Sequence, residues 1–94
     1  MGLSPQLETT FNKAIIKIRD NVNNEQFTDN LKLDAYKYYK QSIHGKCNIQ
    51  KPSMFNLKES AKWNARNSII DMSQEEAVEK CIARFTYLFW TWNR

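Results

Sequence analysis

The sequence predicts an all-α domain of four helices, and three observations carry that expectation. Two glycines and two prolines among 94 residues, with abundant Lys, Glu, Asn, Ala and Leu, favour helices over a turn-rich β architecture. Apolar residues recur three and four apart in the first, second and last segments of the chain, the period of a helix with one buried face. Capping signals punctuate these runs: Ser4-Pro5 precedes the first, and Ser73 followed three residues later by Glu76 opens the last.

Helix one is expected from about Pro5 to about Asn21, where Leu7, Phe11, Ala14, Ile15, Ile18 and Val22 recur at helical spacing with Lys13, Lys17 and Arg19 to the side. The polar run Asn23-Asn24-Glu25-Gln26 interrupts it and reads as a loop. Thr28 or Asp29 can cap helix two, which continues through Leu31, Leu33, Ala35, Tyr36, Tyr39 and Ile43 to His44, with Gly45 as the expected left-handed stop. The next dozen residues, to about Asn56, keep no period, but Ile49, Met54 and Phe55 would anchor them as an ordered loop. Helix three, about Leu57 to Ile70, presents Ala61, Trp63, Ala65 and Ile69 without a single clean stripe. The last helix carries Ala77, Val78, Cys81, Ile82, Phe85, Leu88, Phe89 and Trp92 on a face wide enough for two neighbours. Its aromatic ending, Phe89 to Arg94, fits either a cap on the helices or a passage into a further segment.

Length allows one small domain, residues 1–94, and no internal repeat appears. A formal charge of +4 points to an anionic partner: nucleic acid, an anionic membrane surface and a phosphorylated small molecule all satisfy charge alone. Cys47 and Cys81 are too few and too far apart for a disulfide scaffold or a zinc spacing, which favours a reduced, cytoplasmic setting. No signal pattern opens the chain, Gln6 stands where myristoylation of Gly2 would need Ser or Thr, and no apolar run approaches the roughly 20 residues of a membrane span. No nucleophile–base pair or metal cluster is recognisable, so catalysis is not expected. His44 reads as a helix-end histidine, Cys47 as an ordinary loop thiol, and Glu75 and Glu76 as acids at a helix N-terminus.

The candidate binding surface is Tyr36-Lys37-Tyr38-Tyr39-Lys40-Gln41. Residues three and four apart share a helix face, so Tyr36, Tyr39 and Lys40 project together as two flat amphipathic rings beside one cation. A plain core helix would use Leu or Ile, because a buried tyrosine must find a partner for its hydroxyl. The blander alternative for such a stripe is a half-buried face whose polar tips snorkel to water.

Taken in order, Tyr-x-x-Tyr-Lys-Gln at 36–41, Gly45, Asn48, Pro52, Ala61-Lys62-Trp63 and Ser73-x-Glu75-Glu76-Ala77 resemble the successive signatures of the acyl-CoA-binding protein family, from about Phe11 to about Leu88. The resemblance implies a four-helix bundle with a long ordered loop between helices two and three. It also implies a non-enzymatic, monomeric, cytoplasmic carrier of long-chain fatty acyl-CoA esters that needs neither cofactor nor metal. On matching positions, Lys40 would meet the nucleotide 3′-phosphate, Lys62 would engage the phosphorylated head group, Tyr36 and Tyr39 would line the nucleotide pocket, and Arg19 would assist them. Ala14 and Leu33, with Met54 from the loop, would line the acyl-chain groove. Trp63 reads as structural, since it would face about 100° away from Lys62 on a helix.

Four positions depart from the family pattern. Cys81 replaces a tyrosine that commonly contacts the adenine region, Arg66 stands where many members have a second tryptophan, and Lys46-Cys47 replaces a common Asp-Ile after the glycine. The alternative from another functional class is a basic helical nucleic-acid-binding module, supported by charge and by the interleaving of Tyr and Lys.

Overall fold

The computed structural model describes residues 3–86, which form α1 (Pro5–Asn21), α2 (Asp29–His44), α3 (Leu57–Ser68) and α4 (Gln74–Phe85), with no strand among the described residues. Each helix begins where a short polar side chain can take up an orphaned backbone N–H. Leu7 N–H donates to Ser4 Oγ at 3.2 Å, Leu31 N–H to Thr28 Oγ1 at 3.2 Å, Glu59 N–H to Asn56 Oδ1 at 3.3 Å and Glu76 N–H to Ser73 Oγ at 3.0 Å. Such a cap contributes about 1 kcal/mol. Leu88, Phe89 and Trp92, expected on the face of the last helix, lie outside the described residues.

α2 packs against both α3 and α4, and α1 packs against α4. The core gathers Phe11, Phe27, Ala35, Val78, Cys81 and Phe85, with Leu7, Ile15, Ile18 and Ile82 around it. Phe27 is the member that periodicity does not reveal, because it sits between helices behind a run of polar residues. Its N–H donates to Asn24 O at 2.9 Å and that of Gln26 to Asn24 Oδ1 at 2.9 Å, closing a turn from which the ring enters the core. There it stacks on Phe85 with centroids 5.8 Å apart, so the loop between α1 and α2 is tied down by an aromatic pair.

Three side chains organise the far end of α2. Gln41, fully buried, donates from Nε2 to Met72 O at 2.7 Å and to Ile70 O at 3.3 Å. Gln74 Nε2 donates to Ser42 O at 3.1 Å and Ile43 O at 3.3 Å, taking up carbonyls that the end of α2 leaves without helical partners. Arg66 Nη2 donates to Gly45 O at 3.1 Å. Gly45 itself differs from the expected left-handed stop: φ is 72° but ψ is −146°, a region open essentially to glycine alone.

α3 ends at Ser68, two residues before the expected Ile70. Ile69 N–H donates to Arg66 O and Ile70 N–H to Asn67 O, both at 3.3 Å, and this tighter winding swings the Ile70 and Met72 carbonyls toward Gln41. The loop from 45 to 56 is ordered by other means than expected. Ile49, Met54 and Phe55 are 63, 74 and 88 % exposed, so they do not anchor it. Polar bonds from α3 hold it instead: Trp63 Nε1 donates to Ile49 O at 2.8 Å, and Ser60 Oγ donates to Ser53 O at 3.4 Å.

Gly45→Ala is expected to lower stability by about 1–3 kcal/mol in urea unfolding, through backbone strain. A Cβ there would meet nothing closer than Gln74 Cδ at 3.8 Å, so crowding is not the cause. Unchanged stability would show that the turn relaxes without cost.

Candidate ligand-binding site

On α2, Tyr36, Lys40 and His44 follow one another at four-residue intervals and share a face. All three line a cavity of about 420 Å³ beneath the Gly45 turn, which Lys46, Asn48, Ile49 and Arg66 complete. Tyr36 also borders two further cavities. One of about 360 Å³ runs between α1 and α2, where Ile15, Ile18, Val22 and Ala35 supply apolar surface and Arg19 and Tyr39 its polar edge. The other, about 350 Å³, lies between α2 and α3 and has Leu33 and Ala61 on its walls with Lys32, Lys58 and Lys62 around them.

The cations differ in how they are engaged. Lys62 Nζ lies 5.4 Å from the Tyr36 ring centroid and 3.5 Å from Glu59 Oε1, so α3 sets a charge over the aromatic face of α2. That ion pair is half exposed and worth about 0–1 kcal/mol, so an anionic ligand can displace Glu59 at little cost. Lys37 is held away from this face by Asp34 at 3.4 Å, and Lys32 stands 4.0 Å from Asp29. Lys40 and Arg19 make no ion pair among the described residues and remain available to a ligand.

The structure therefore brings together Arg19, Tyr36, Tyr39, Lys40, Lys62 and Leu33 around one side of α2. It does not bring Ala14, Met54 or Cys81 to that surface. Ala14 is fully buried and presents no wall to an open groove. Met54 is 74 % exposed on the loop. Cys81 is fully enclosed among Phe11, Phe27, Val78 and Phe85, so it has no atom to offer a ligand beside the adenine position. Burial pushes its thiol up to about 12, which leaves it protonated and inert at physiological pH. Arg66 and Lys46 are the lining residues that motif reading passes over as departures. The signal for Arg66 was its place one turn beyond Lys62, on the same side of α3.

The family description "Acyl CoA binding protein" matches residues 8–85. The chain belongs to the acyl-CoA-binding protein family. It is 35 % identical over 88 residues to the acyl-CoA-binding protein of Ricinus communis, covering 94 % of this chain and 91 % of that one. It is also 35 % identical over 80 residues to the acyl-CoA-binding protein of Dictyostelium discoideum, covering 85 % and 93 % respectively. Among longer members, acyl-CoA-binding domain-containing protein 5A of Danio rerio is 36 % identical over 77 residues, and the match spans 15 % of that protein's length. The crystal structure of Oryza sativa acyl-CoA-binding protein 2 superposes with a TM-score of 0.76 at 28 % identity, covering 88 % of this chain and 90 % of that one. The four-helix bundle expected from the motifs is the fold observed.

Because Cys81 is enclosed, Cys81→Tyr is expected to overpack the core and destabilise by about 1–3 kcal/mol in equilibrium unfolding. A variant as stable as the wild type would show that the core opens a space for the ring.

Proposed function

We propose that this chain binds long-chain fatty acyl-CoA esters and carries them without chemical change, as a buffer that delivers the ester to other proteins. The observation that carries the reading is the position of Tyr36 at the junction of three cavities of different character. An acyl-CoA likewise has three parts: a phosphorylated adenosine, a polar pantetheine arm and an apolar chain. The groove holding Arg19, Tyr36 and Tyr39 suits the purine, since stacking on an aromatic face is worth about 1–3 kcal/mol per base. Lys40 suits a phosphate, with a charged hydrogen bond contributing about 1.5–3 kcal/mol. Leu33 and Ala61 offer the start of an apolar path under Lys62.

The relatives named above carry acyl-CoA binding in their names, which supports this reading and leaves the nucleic-acid module without a favouring observation. Among the described residues no helix is long and apolar enough to cross a membrane, and no group of three or more His, Cys, Asp or Glu could hold a metal. We take the carrier to act as a monomer in the cytoplasm, with release of the ester governed by affinity rather than by reaction.

Calorimetric titration with free CoA, octanoyl-CoA, palmitoyl-CoA and a short DNA duplex tests the reading. Affinity should rise in the order free CoA, octanoyl-CoA, palmitoyl-CoA, because the head group is common to all three while each buried methylene adds at most about 0.8 kcal/mol, less the cost of ordering the chain. Duplex binding tighter than palmitoyl-CoA, with a steep loss in salt, would overturn it. In the same assay Lys40→Ala should weaken palmitoyl-CoA binding by about tenfold or more, the loss of one charged hydrogen bond, with thermal stability nearly unchanged. Equal affinity for variant and wild type would remove Lys40 from the site.

A further inference from the structure

We propose that the tip of the loop between α2 and α3, Met54 and Phe55 with Leu57 behind them, docks on an anionic phospholipid bilayer, with Lys51 and Lys58 meeting the head groups. The proposal goes beyond the carrier reading, because the surface that meets lipid is present whether or not a ligand is bound.

Among the described residues the four most exposed large apolar side chains all lie between positions 49 and 57: Ile49, Met54, Phe55 and Leu57 are 63, 74, 88 and 78 % exposed. Scattered singly, such residues need no explanation; gathered at one tip, they mark an interaction surface. The local chemistry points the same way. Asn56 N–H donates to Ser53 O at 3.0 Å and Phe55 N–H to Ser53 Oγ at 3.3 Å, so Met54 and Phe55 are the two central residues of a tight turn. Turns that face only water favour Gly, Asn, Asp, Ser or Pro. Here a thioether and a ring stand at the apex instead, with an exposed leucine at the first position of α3. The tip is also held in place before any partner arrives. Trp63 Nε1 donates to Ile49 O at 2.8 Å, Ser60 Oγ donates to Ser53 O at 3.4 Å, and Lys51 Nζ lies 5.7 Å from the Trp63 ring centroid, so docking has little loop entropy to overcome.

Charge selects the partner. Between Asp34 and Glu59 the sequence holds five lysines and no acidic residue, and two of them, Lys51 and Lys58, flank the tip. Both are exposed, and neither makes an ion pair among the described residues. Glu59, the next acid along the chain, is engaged by Lys62 at 3.5 Å. An apolar tip with a basic collar fits the bilayer interface: the side chains at the apex enter the boundary between head groups and acyl chains, while the ammonium groups stay with the lipid phosphates. A nucleic-acid duplex would engage the lysines and leave Phe55 in water. Lys58 also borders the cavity between α2 and α3 that has Leu33 and Ala61 on its walls, so docking brings one edge of that cavity to the lipid surface. On the carrier reading, an apolar chain can then pass between bilayer and protein with little exposure to water.

Sedimentation of the ligand-free protein with phosphatidylcholine vesicles, with and without about one third phosphatidylserine, tests the proposal. The wild type should bind the anionic vesicles about tenfold more tightly than the neutral ones, since two lysines meet the charged surface. Phe55→Ser combined with Leu57→Ser should lose about tenfold or more on the anionic vesicles, because two apolar side chains no longer leave water. Lys51→Glu should lose about fivefold or more on the anionic vesicles and little on the neutral ones. All three positions are exposed, so thermal stability, and affinity for palmitoyl-CoA without vesicles, should stay at wild-type values. No binding of the wild type to anionic vesicles overturns the proposal, as does equal binding to both vesicle types or by wild type and double variant. Self-association that the double variant abolishes, without vesicle binding, would assign the patch to a second copy and likewise overturn it. Should the double variant fail to fold, Lys51→Glu decides, and an unchanged partition sinks the proposal. A wild type that docks but binds no palmitoyl-CoA would support the docking and end the carrier reading alone.

Discussion

Gln41 ties the bundle together. Its amide is fully buried at the last turn of α2 and donates to the carbonyls of Ile70 and Met72, in the turn that joins α3 to α4. A buried amide left without partners would cost about 1–3 kcal/mol, so these bonds select one placement of that turn against α2. Gln74 reaches back from α4 to the Ser42 and Ile43 carbonyls, and Arg66 from α3 to that of Gly45, so three helices meet at one polar junction. Fixing this end of α2 fixes the lateral position of α3, and with it the placement of Lys62 over the Tyr36 ring.

The two central helices divide the work. α4 is the scaffold: Ala77, Val78, Cys81 and Phe85 are all fully buried. α2 buries only Ala35, Gln41 and Ser42, while Tyr36, Tyr39 and Lys40 stay partly exposed on the cavity side. A helix that spends so little of its surface on the core depends on its neighbours for stability, and it keeps a face free for a ligand. Changes on that face therefore act on binding, while changes on α4 act on folding.

Charge is distributed by the same logic. Asp34 accepts from Arg84 Nε at 3.1 Å and stands 3.4 Å from Lys37, joining α4 to α2 on the side away from Tyr36. Glu59 and Asp29 sit beside Lys62 and Lys32. With these acids engaged, the modest excess of +4 is felt where Arg19, Lys40 and Arg66 have no carboxylate partner among the described residues, around the three cavities that meet at Tyr36. Local pairing, more than net charge, makes this side of α2 attractive to an anion.

By itself the sequence determined the four helices, their beginnings and the Tyr36–Tyr39–Lys40 face, because caps and helical periods depend on neighbours within a few residues. The ordered motifs also determined the family, since their succession along the chain survives any doubt about one of them. Where contacts span the chain, local pattern carried no information. Phe27, next to a polar loop, became core through Phe85; Cys81, a departure at a position where the family has a ligand-contacting tyrosine, became the dry centre of the bundle; Ile49, Met54 and Phe55 looked like anchors while Trp63 and Ser60 did the anchoring. Arg66 was legible only as a departure from pattern, and its burial beside Lys40 and Lys46 was decided by the turn that Gln41 holds in place. Burial and charge compensation depend on residues some twenty to seventy positions away, and only the packed chain brings those together.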